Sequence, residues 1–293
     1  MDKDKPLNTE DFLKQQYSLT ITICGAPNVG KSTLLNRLIG CKLAISSPKP
    51  QTTRFNIKGI LTKDNKQLVF IDTPGIFKPK VSQLEKQIVK EAWQGFCGID
   101  LACLVIDAEK GIDKSAKLVL EKTKNNNINM IAIINKADLV SMEQKILLSK
   151  ELWSYNKFAE IFSVSAKTGK GCDKLLDYLL SITKQQDWQF GKDELTDKDS
   201  NFIVAEFVRE QLFLYLEKEL PYMLSCETEL FQQNEDCIEI SVLVKVGKEN
   251  HKKIILGKNG NNLRKIIKKA SINLEGILGR QVKLKIFIKY DKK

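Results

Sequence analysis

From Thr20 to Thr183, short apolar, β-branched runs alternate with stretches in which apolar residues recur every three or four positions. Residues 19–24, 68–72, 101–107, 130–135 and 161–165 are largely apolar, as strands buried on both faces of a sheet must be. Residues 32–38 and 84–93, lying between them, read as helices. The alternation predicts an α/β doubly wound fold over residues 17–184. Residues 185–201 are polar and dense in Asp and Lys, and read as an interdomain linker. Beyond them the pattern changes. Residues 202–218 read as helix and 228–231 as strand. Residues 238–246 alternate, with Ile238, Ile240, Val242, Val244 and Val246 on one face and only Leu243 apolar on the other. A short helix precedes Gly257, and residues 261–277 are amphipathic, with Leu263, Ile266, Ile267 and Ala270 on one stripe. Residues 282–288 alternate again. The order helix, strand, strand, helix, helix, strand predicts a smaller α+β domain over residues 202–293.

The 293 residues suffice for two such domains. Charge sharpens the division. Residues 245–293 hold 15 Lys and Arg against 3 Asp and Glu, a surplus of 12 (15 − 3), out of a formal net charge of +11. The rest of the chain nearly cancels. Such local asymmetry is the footprint of a polyanion binder, although a solvated basic face would look the same. Other classes fall away. No apolar run is long enough for a membrane span, and residues 1–10 are polar and mixed in charge, unlike a signal peptide. The seven cysteines are scattered with no C-x-x-C, which fits reduced thiols in a cytosol better than disulfides or zinc. His251 is the sole histidine, which removes the usual histidine-based catalysis.

Candidate chemistry lies at the strand ends. Gly25, Ala26, Pro27, Asn28, Val29, Gly30, Lys31 and Ser32 fit G-x-x-x-x-G-K-[ST], between a strand and a helix. Its glycines let the backbone wrap phosphates, Lys31 should reach the β- and γ-phosphates, and Ser32 should bind Mg²⁺. Asp72, Thr73, Pro74 and Gly75 end an apolar strand. Asp72 is placed to hold Mg²⁺, and the Gly75 N–H to sense a γ-phosphate. Asn135, Lys136, Ala137 and Asp138 end another. A carboxylate at Asp138 accepts both N–H groups on the edge of guanine, which adenine lacks, so GTP and GDP are expected over ATP. Asn135 would brace the loop and the Lys136 stem would cover the base. After the last strand come Ser165, Ala166 and Lys167, where the Ala166 N–H can meet guanine O6. In Pro50-Gln51-Thr52-Thr53-Arg54 one threonine should complete the Mg²⁺ shell, Thr53 being favoured over Thr52; the pair could instead simply enter a strand. Ile76 follows D-x-x-G where many GTPases carry a water-orienting glutamine, so intrinsic hydrolysis should be slow.

In the basic segment, Gly257, Lys258, Asn259 and Gly260 form a G-x-x-G turn ahead of a helix bearing Arg264, Lys265, Lys268 and Lys269. Alone this is a helix–helix turn. With the element order above it matches a type II KH module, whose loop clamps about four nucleotides of RNA backbone. Ile254 and Ile255 would form a shelf for bases, or pack in the core.

A single P-loop GTPase domain followed by a KH domain resembles the Era family, one of the TrmE–Era–EngA-type GTPases. The marks are GAPNVGKS, KPQTTR, DTPGIFKPK, NKAD, TDKDSNFIVAEFVRE, ELPY and GKNG. The resemblance implies a GTP hydrolase that binds 16S rRNA near its 3′ end and acts in 30S ribosomal subunit assembly. It also implies a monomer, cytoplasmic with peripheral association to the inner membrane. Asn28 stands where the related GTPases bind K⁺ beside the phosphates, which would make it catalytic together with Lys31 and Thr53; otherwise it only braces the loop. Ala26 stands where the family often has Arg, Phe77 where it often has His, and Asn201 replaces a frequent Arg. The competing reading is a GTPase whose basic end docks on anionic membrane. A packed helix–strand unit, rather than a surface helix with an exposed apolar face, would argue against it.

Overall fold

The structure, a computed structural model, describes residues 15–49, 51–79, 83–124 and 128–291. Residues 1–10, Pro50, Lys80, Lys292 and Lys293 of the sequence reading lie outside them. The chain divides into two compact units. One comprises Met1–Ala44 and Thr53–Asp197, the other Ile45–Thr52 and Lys198–Lys293.

The first unit is a seven-stranded sheet. Its elements are β1 (Tyr17–Gly25), α1 (Lys31–Ile39), β2 (Ile57–Lys63), β3 (Lys66–Asp72), α2 (Gln83–Gln94), β4 (Leu101–Asp107), α3 (Lys114–Thr123), β5 (Asn129–Asn135), α4 (Met142–Trp153), β6 (Phe158–Ser163), α5 (Cys172–Ser181) and β7 (Lys184–Gln185). The strand order is β2-β3-β1-β4-β5-β6, with β7 pairing β1 off this path. All pairings on the path are parallel except β2 with β3, and β7 is antiparallel to β1. The central apolar strands are covered on both sides, β4 being buried at every position, whereas β6, expected to be buried over 161–165, is an edge strand ending at Ser163 and exposed at Ala159, Glu160 and Ser163. The chain leaves β1 toward β3 on one side and β4 on the other, so the carboxyl ends of these strands frame a crevice suited to a ligand.

The pattern did not single out β2, in which Gly59 interrupts the apolar run. A Cβ on Gly59 would lie 2.2 Å from Ile39 Cδ1, so α1 rests directly on this strand. The polar stretch expected as a linker differs too. Most of it, through Asp197, belongs to the first unit. Gln67, wholly buried, exchanges hydrogen bonds with the Gln189 and Phe190 backbone, and the Trp188 indole donates to Asn65 O. These polar groups bond to the sheet rather than to solvent, which composition cannot distinguish.

The second unit contains α6 (Ser200–Tyr215), β8 (Leu224–Gln233), β9 (Ile238–Val246), α7 (Glu249–Leu256), α8 (Asn261–Leu278) and β10 (Val282–Tyr290). Its sheet order is β10-β9-β8, with β10 parallel and β8 antiparallel to β9. Val204, Phe207 and Leu212 of α6 and Ile266, Ala270 and Leu274 of α8 share a core with Ile240, Val242 and Val244 of β9. Asp199 caps α6 by accepting from the Phe202 N–H. The segment Ile45–Thr52 joins this unit through charged groups of α6. Buried Arg209 donates to both oxygens of Glu206 and to Thr52 O, Glu210 accepts the Ser46 N–H, and Lys49 donates to Phe213 O and Leu216 O.

Candidate functional site

The first loop turns sharply after β1. Gly25 has φ 142° and a Cβ there would lie 2.4 Å from Val105 O; Gly30 has φ 94° and its Cβ would lie 2.3 Å from Asn135 Nδ2. Both positions therefore require glycine for space as well as for dihedral angle. α1 starts at Lys31, directing its unpaired first-turn N–H groups toward the loop. Lys31 is buried, and its ammonium donates to Gly25 O (3.2 Å) and Ala26 O (2.8 Å), leaving one of three donors uncommitted to the loop. Burial pulls it below the usual lysine value, with Asp72 opposing.

Three oxygens meet beside it. The Ser32 hydroxyl donates to Asp72 Oδ2 at 2.6 Å and lies 3.0 Å from Thr53 Oγ1. Asp72 Oδ1 is buried without a hydrogen-bond partner. Burial pushes this carboxyl up to about 6, against the pull of Lys31 and the Ser32 hydroxyl. An orphaned carboxylate oxygen on a group whose other oxygen bonds Ser32, next to Thr53, fits a small hard cation, and Mg²⁺ typically takes one or two carboxylates, with phosphate and water filling its octahedron. The two candidate threonines part here. Thr52 Oγ1 bonds Ser47 Oγ and Lys49 O, whereas Thr53 faces Ser32.

Thr73 is structural: its hydroxyl donates to Ile23 O (2.8 Å). A Cβ on Gly75 would lie 2.7 Å from Pro27, so this loop and the first one touch. Ile76 is fully buried in the core beneath α2 and donates its N–H to Gly25 O (3.0 Å). It cannot orient water.

Asn135 joins the phosphate side to the base side. Its Nδ2 donates to Val29 O (2.8 Å) and its Oδ1 accepts the Ala166 N–H (2.9 Å). The Ala166 N–H expected to face the base is thus already bonded. Lys136, at φ 60°, pairs with Asp107 at 2.6 Å. Ala137 N–H donates to Val164 O, tying the end of β5 to the loop after β6. Asp138 is exposed, and a hydrogen bond from the Ser165 hydroxyl holds its carboxyl below the usual range.

In the second unit, Gly257 adopts φ 69°, ψ 179°, a region essentially reserved for glycine. Asn259 (φ 53°) and Gly260 (φ 73°) follow in left-handed conformation before α8 begins at Asn261. Lys258, Arg264 and Lys265 lie on the exposed rim, Arg264 within 3.4 Å of Asn261 Oδ1. The two isoleucines separate: Ile254 is exposed and Ile255 is buried in the core.

Residues 20–136 match the family described as 50S ribosome-binding GTPase, and residues 219–293 match the KH domain. GTPase Era of Ehrlichia ruminantium (strain Gardel) is 40% identical over 268 residues, covering 91% of this chain and 90% of the relative. GTPase Era of Rickettsia conorii (strain ATCC VR-613 / Malish 7) is 42% identical over 289 residues, covering 97% of this chain and 84% of the relative. The chain belongs to the Era family of GTPases. As an Era-family protein it is a GTP hydrolase, with a P-loop GTPase domain and a C-terminal KH domain. A crystal structure of Era in complex with MgGDPNP and nucleotides 1506–1542 of 16S ribosomal RNA matches with TM-score 0.88 and 33% identity, covering 95% of each chain. An Aquifex aeolicus Era variant bound to GDP·AlF4⁻ matches with TM-score 0.89 and 32% identity, again over 95% of each chain.

Two residues of this Era-type site escaped the sequence reading. Arg37 of α1 donates to Ala166 O (3.2 Å) and Lys167 O (2.8 Å), bracing the loop after β6. Asp107, buried at the end of β4, holds Lys136. An apolar strand ending in Asp was a visible signal for the second. Nothing in the pattern marked the first, because an arginine on an amphipathic helix ordinarily faces solvent.

Proposed function

We propose that this chain uses GTP hydrolysis to control its hold on ribosomal RNA. The observation that carries the reading is the pairing of two phosphate-grasping loops on one chain, one at residues 25–32 and one at residues 257–260. In the first, Lys31 supplies positive charge to the β- and γ-phosphates, and Asp138 selects guanine by accepting from two N–H groups. The Ala166 N–H, bonded to Asn135 Oδ1, would have to divide that bond to reach guanine O6. The oxygens of Ser32 and Thr53, with Asp72 through water, would hold Mg²⁺, which when bound neutralises phosphate charge. Gly257, Lys258, Asn259, Gly260, Arg264 and Lys265 grip RNA backbone. The relative crystallised with 16S ribosomal RNA supports RNA near the 3′ end of that molecule as the ligand, and hence a role in 30S subunit assembly.

The test is to crosslink RNA to the protein in cells and sequence it. Reads should concentrate near the 16S rRNA 3′ end; reads scattered over unrelated transcripts would sink the proposal. The membrane alternative has little behind it besides charge. The basic segment is a packed helix–sheet unit, and no described helix is long and apolar enough to cross a membrane.

Ile76, apolar and buried, stands where many GTPases carry a water-orienting glutamine and cannot replace it. K⁺ as the missing positive charge rests on the position of Asn28, half buried at φ 64°, which resembles the K⁺-binding asparagine of related GTPases. Turnover should then be faster in KCl than in matched NaCl, and Asn28→Ser should lose that difference. Equal wild-type rates in both salts would defeat the K⁺ role, and a mutant equally slow in both would favour bracing.

A further inference from the structure

The helices of the second unit cover one face of its sheet, against the even-numbered residues of β9 and β10. The odd-numbered residues form the other face. Register places Phe287 opposite Leu243, Lys285 opposite Ser241 and Lys289 opposite Lys245. Phe287 is 51% exposed. A lone exposed phenylalanine is ordinary; its setting is not. Lys285 and Lys289 flank it on the same face of the same strand, each about 7 Å along the chain. No carboxylate among the described residues pairs with either of them, whereas Lys245 is held by Glu227 at 2.6 Å.

Lysines on an edge strand also deter edge-to-edge association, and β10 is an edge strand. An exposed phenyl ring in its middle works against that purpose, so deterrence does not account for the residue. Nor does the face suit a lipid bilayer or a hydrophobic partner. Only Phe287, Leu243 and Leu230 are apolar on it, and Leu243 is half buried. An aromatic surface with a cation on either side matches what single-stranded nucleic acid presents, a base face and its neighbouring phosphates.

We infer that this sheet face is a second RNA-contacting surface, on which an unpaired base stacks against Phe287 while the adjoining phosphates pass Lys285 and Lys289. It rests on the RNA-binding reading above, and it extends the bound strand beyond the residues 257–260 loop.

The test compares two labelled single-stranded RNAs, one of about four nucleotides, enough for the G-x-x-G loop alone, and one about three times longer. Phe287→Ala should weaken the long RNA about tenfold without changing its salt dependence, and Phe287→Trp should restore it. Lys285→Gln with Lys289→Gln should lower the slope of log affinity against log salt by about 1.4. None of these changes should affect the short RNA. Equal weakening of both RNAs by Phe287→Ala would mean that the ring supports the unit's packing, and overturns the proposal. An unaffected long RNA overturns it as well, as does loss of binding to anionic vesicles with RNA binding intact. If the wild type binds neither RNA, the underlying RNA reading falls with it, an outcome distinct from the others.

Discussion

In the nucleotide loop, a Cβ on Gly25 or Gly30 would lie within 2.4 Å of Val105 O or 2.3 Å of Asn135 Nδ2, whereas at Gly260 nothing lies within 4 Å. The nucleotide loop is held from behind by strands and a buried asparagine. Its donors and its ammonium stand in fixed positions before any charge develops, the arrangement that electrostatic catalysis needs. The GKNG loop is held mainly by its own dihedral angles, although a Cβ on Gly257 would lie 2.6 Å from Asn262 Cγ. It lies open, as suits clamping a flexible backbone of varied sequence. Glycine is thus required for space as well as conformation in the nucleotide loop, and at Gly260 for conformation alone.

Changing the base-reading group tests the first loop's partner most severely. Asp138→Asn should reverse the preference between GTP and XTP by a factor on the order of 10⁴, since a mismatched polar group is left unpaired. Competition binding checks this, and unchanged GTP preference would remove Asp138 from the base pocket. Next come matched glycine substitutions. Gly30→Ala, strained in dihedral and colliding with Asn135, should cost GTP affinity about 10²-fold, the upper end of what a displaced buried polar group costs. Gly260→Ala should cost only about 1–2 kcal/mol of stability and leave RNA binding measurable. Equal effects in titration and denaturation experiments would break the comparison.

A further difference lies in titration. Unfolded Asp72 should titrate near its ordinary 3.8, but burial raises the folded group to about 6. Between those values the folded state binds the extra proton. Stability of the Mg²⁺-free protein should therefore fall as pH rises from about 4 to about 6, by about 3 kcal/mol, and level off above. Asp72→Asn should flatten that portion of the curve in denaturant melts; an unchanged curve would contradict it. The smallest effect concerns the brace. Arg37→Ala should raise the KM for GTP about tenfold with kcat unchanged, because the lost bonds serve bound ground state and transition state alike. A fall in kcat at constant KM would place Arg37 nearer the chemistry.

Strand ends carrying Gly25, Asp72 and Asn135 were legible because strands buried on both faces must be continuously apolar, and the chemistry begins where that stops. The alternation in β9 and the G-x-x-G turn were legible for similar reasons of period and dihedral angle. Tertiary hydrogen bonding decided the rest. Nothing local separates Thr52 from Thr53, yet one bonds Ser47 and the other faces Ser32. Gln189 and Trp188 read as linker until Gln67 and Asn65 are seen to bond them. The committed Ala166 N–H and the Arg37 brace likewise depend on partners more than a hundred residues away in sequence, or about thirty in the case of Asn135.

The claim that one chain carries a nucleotide-grasping loop and a separate RNA-grasping loop is tested most directly by Gly257→Asp combined with Gly260→Asp, assayed for RNA affinity and for GTP turnover without RNA on the same preparation. The account predicts that RNA binding collapses while turnover persists at the wild-type rate. Full RNA affinity in the double variant would contradict it.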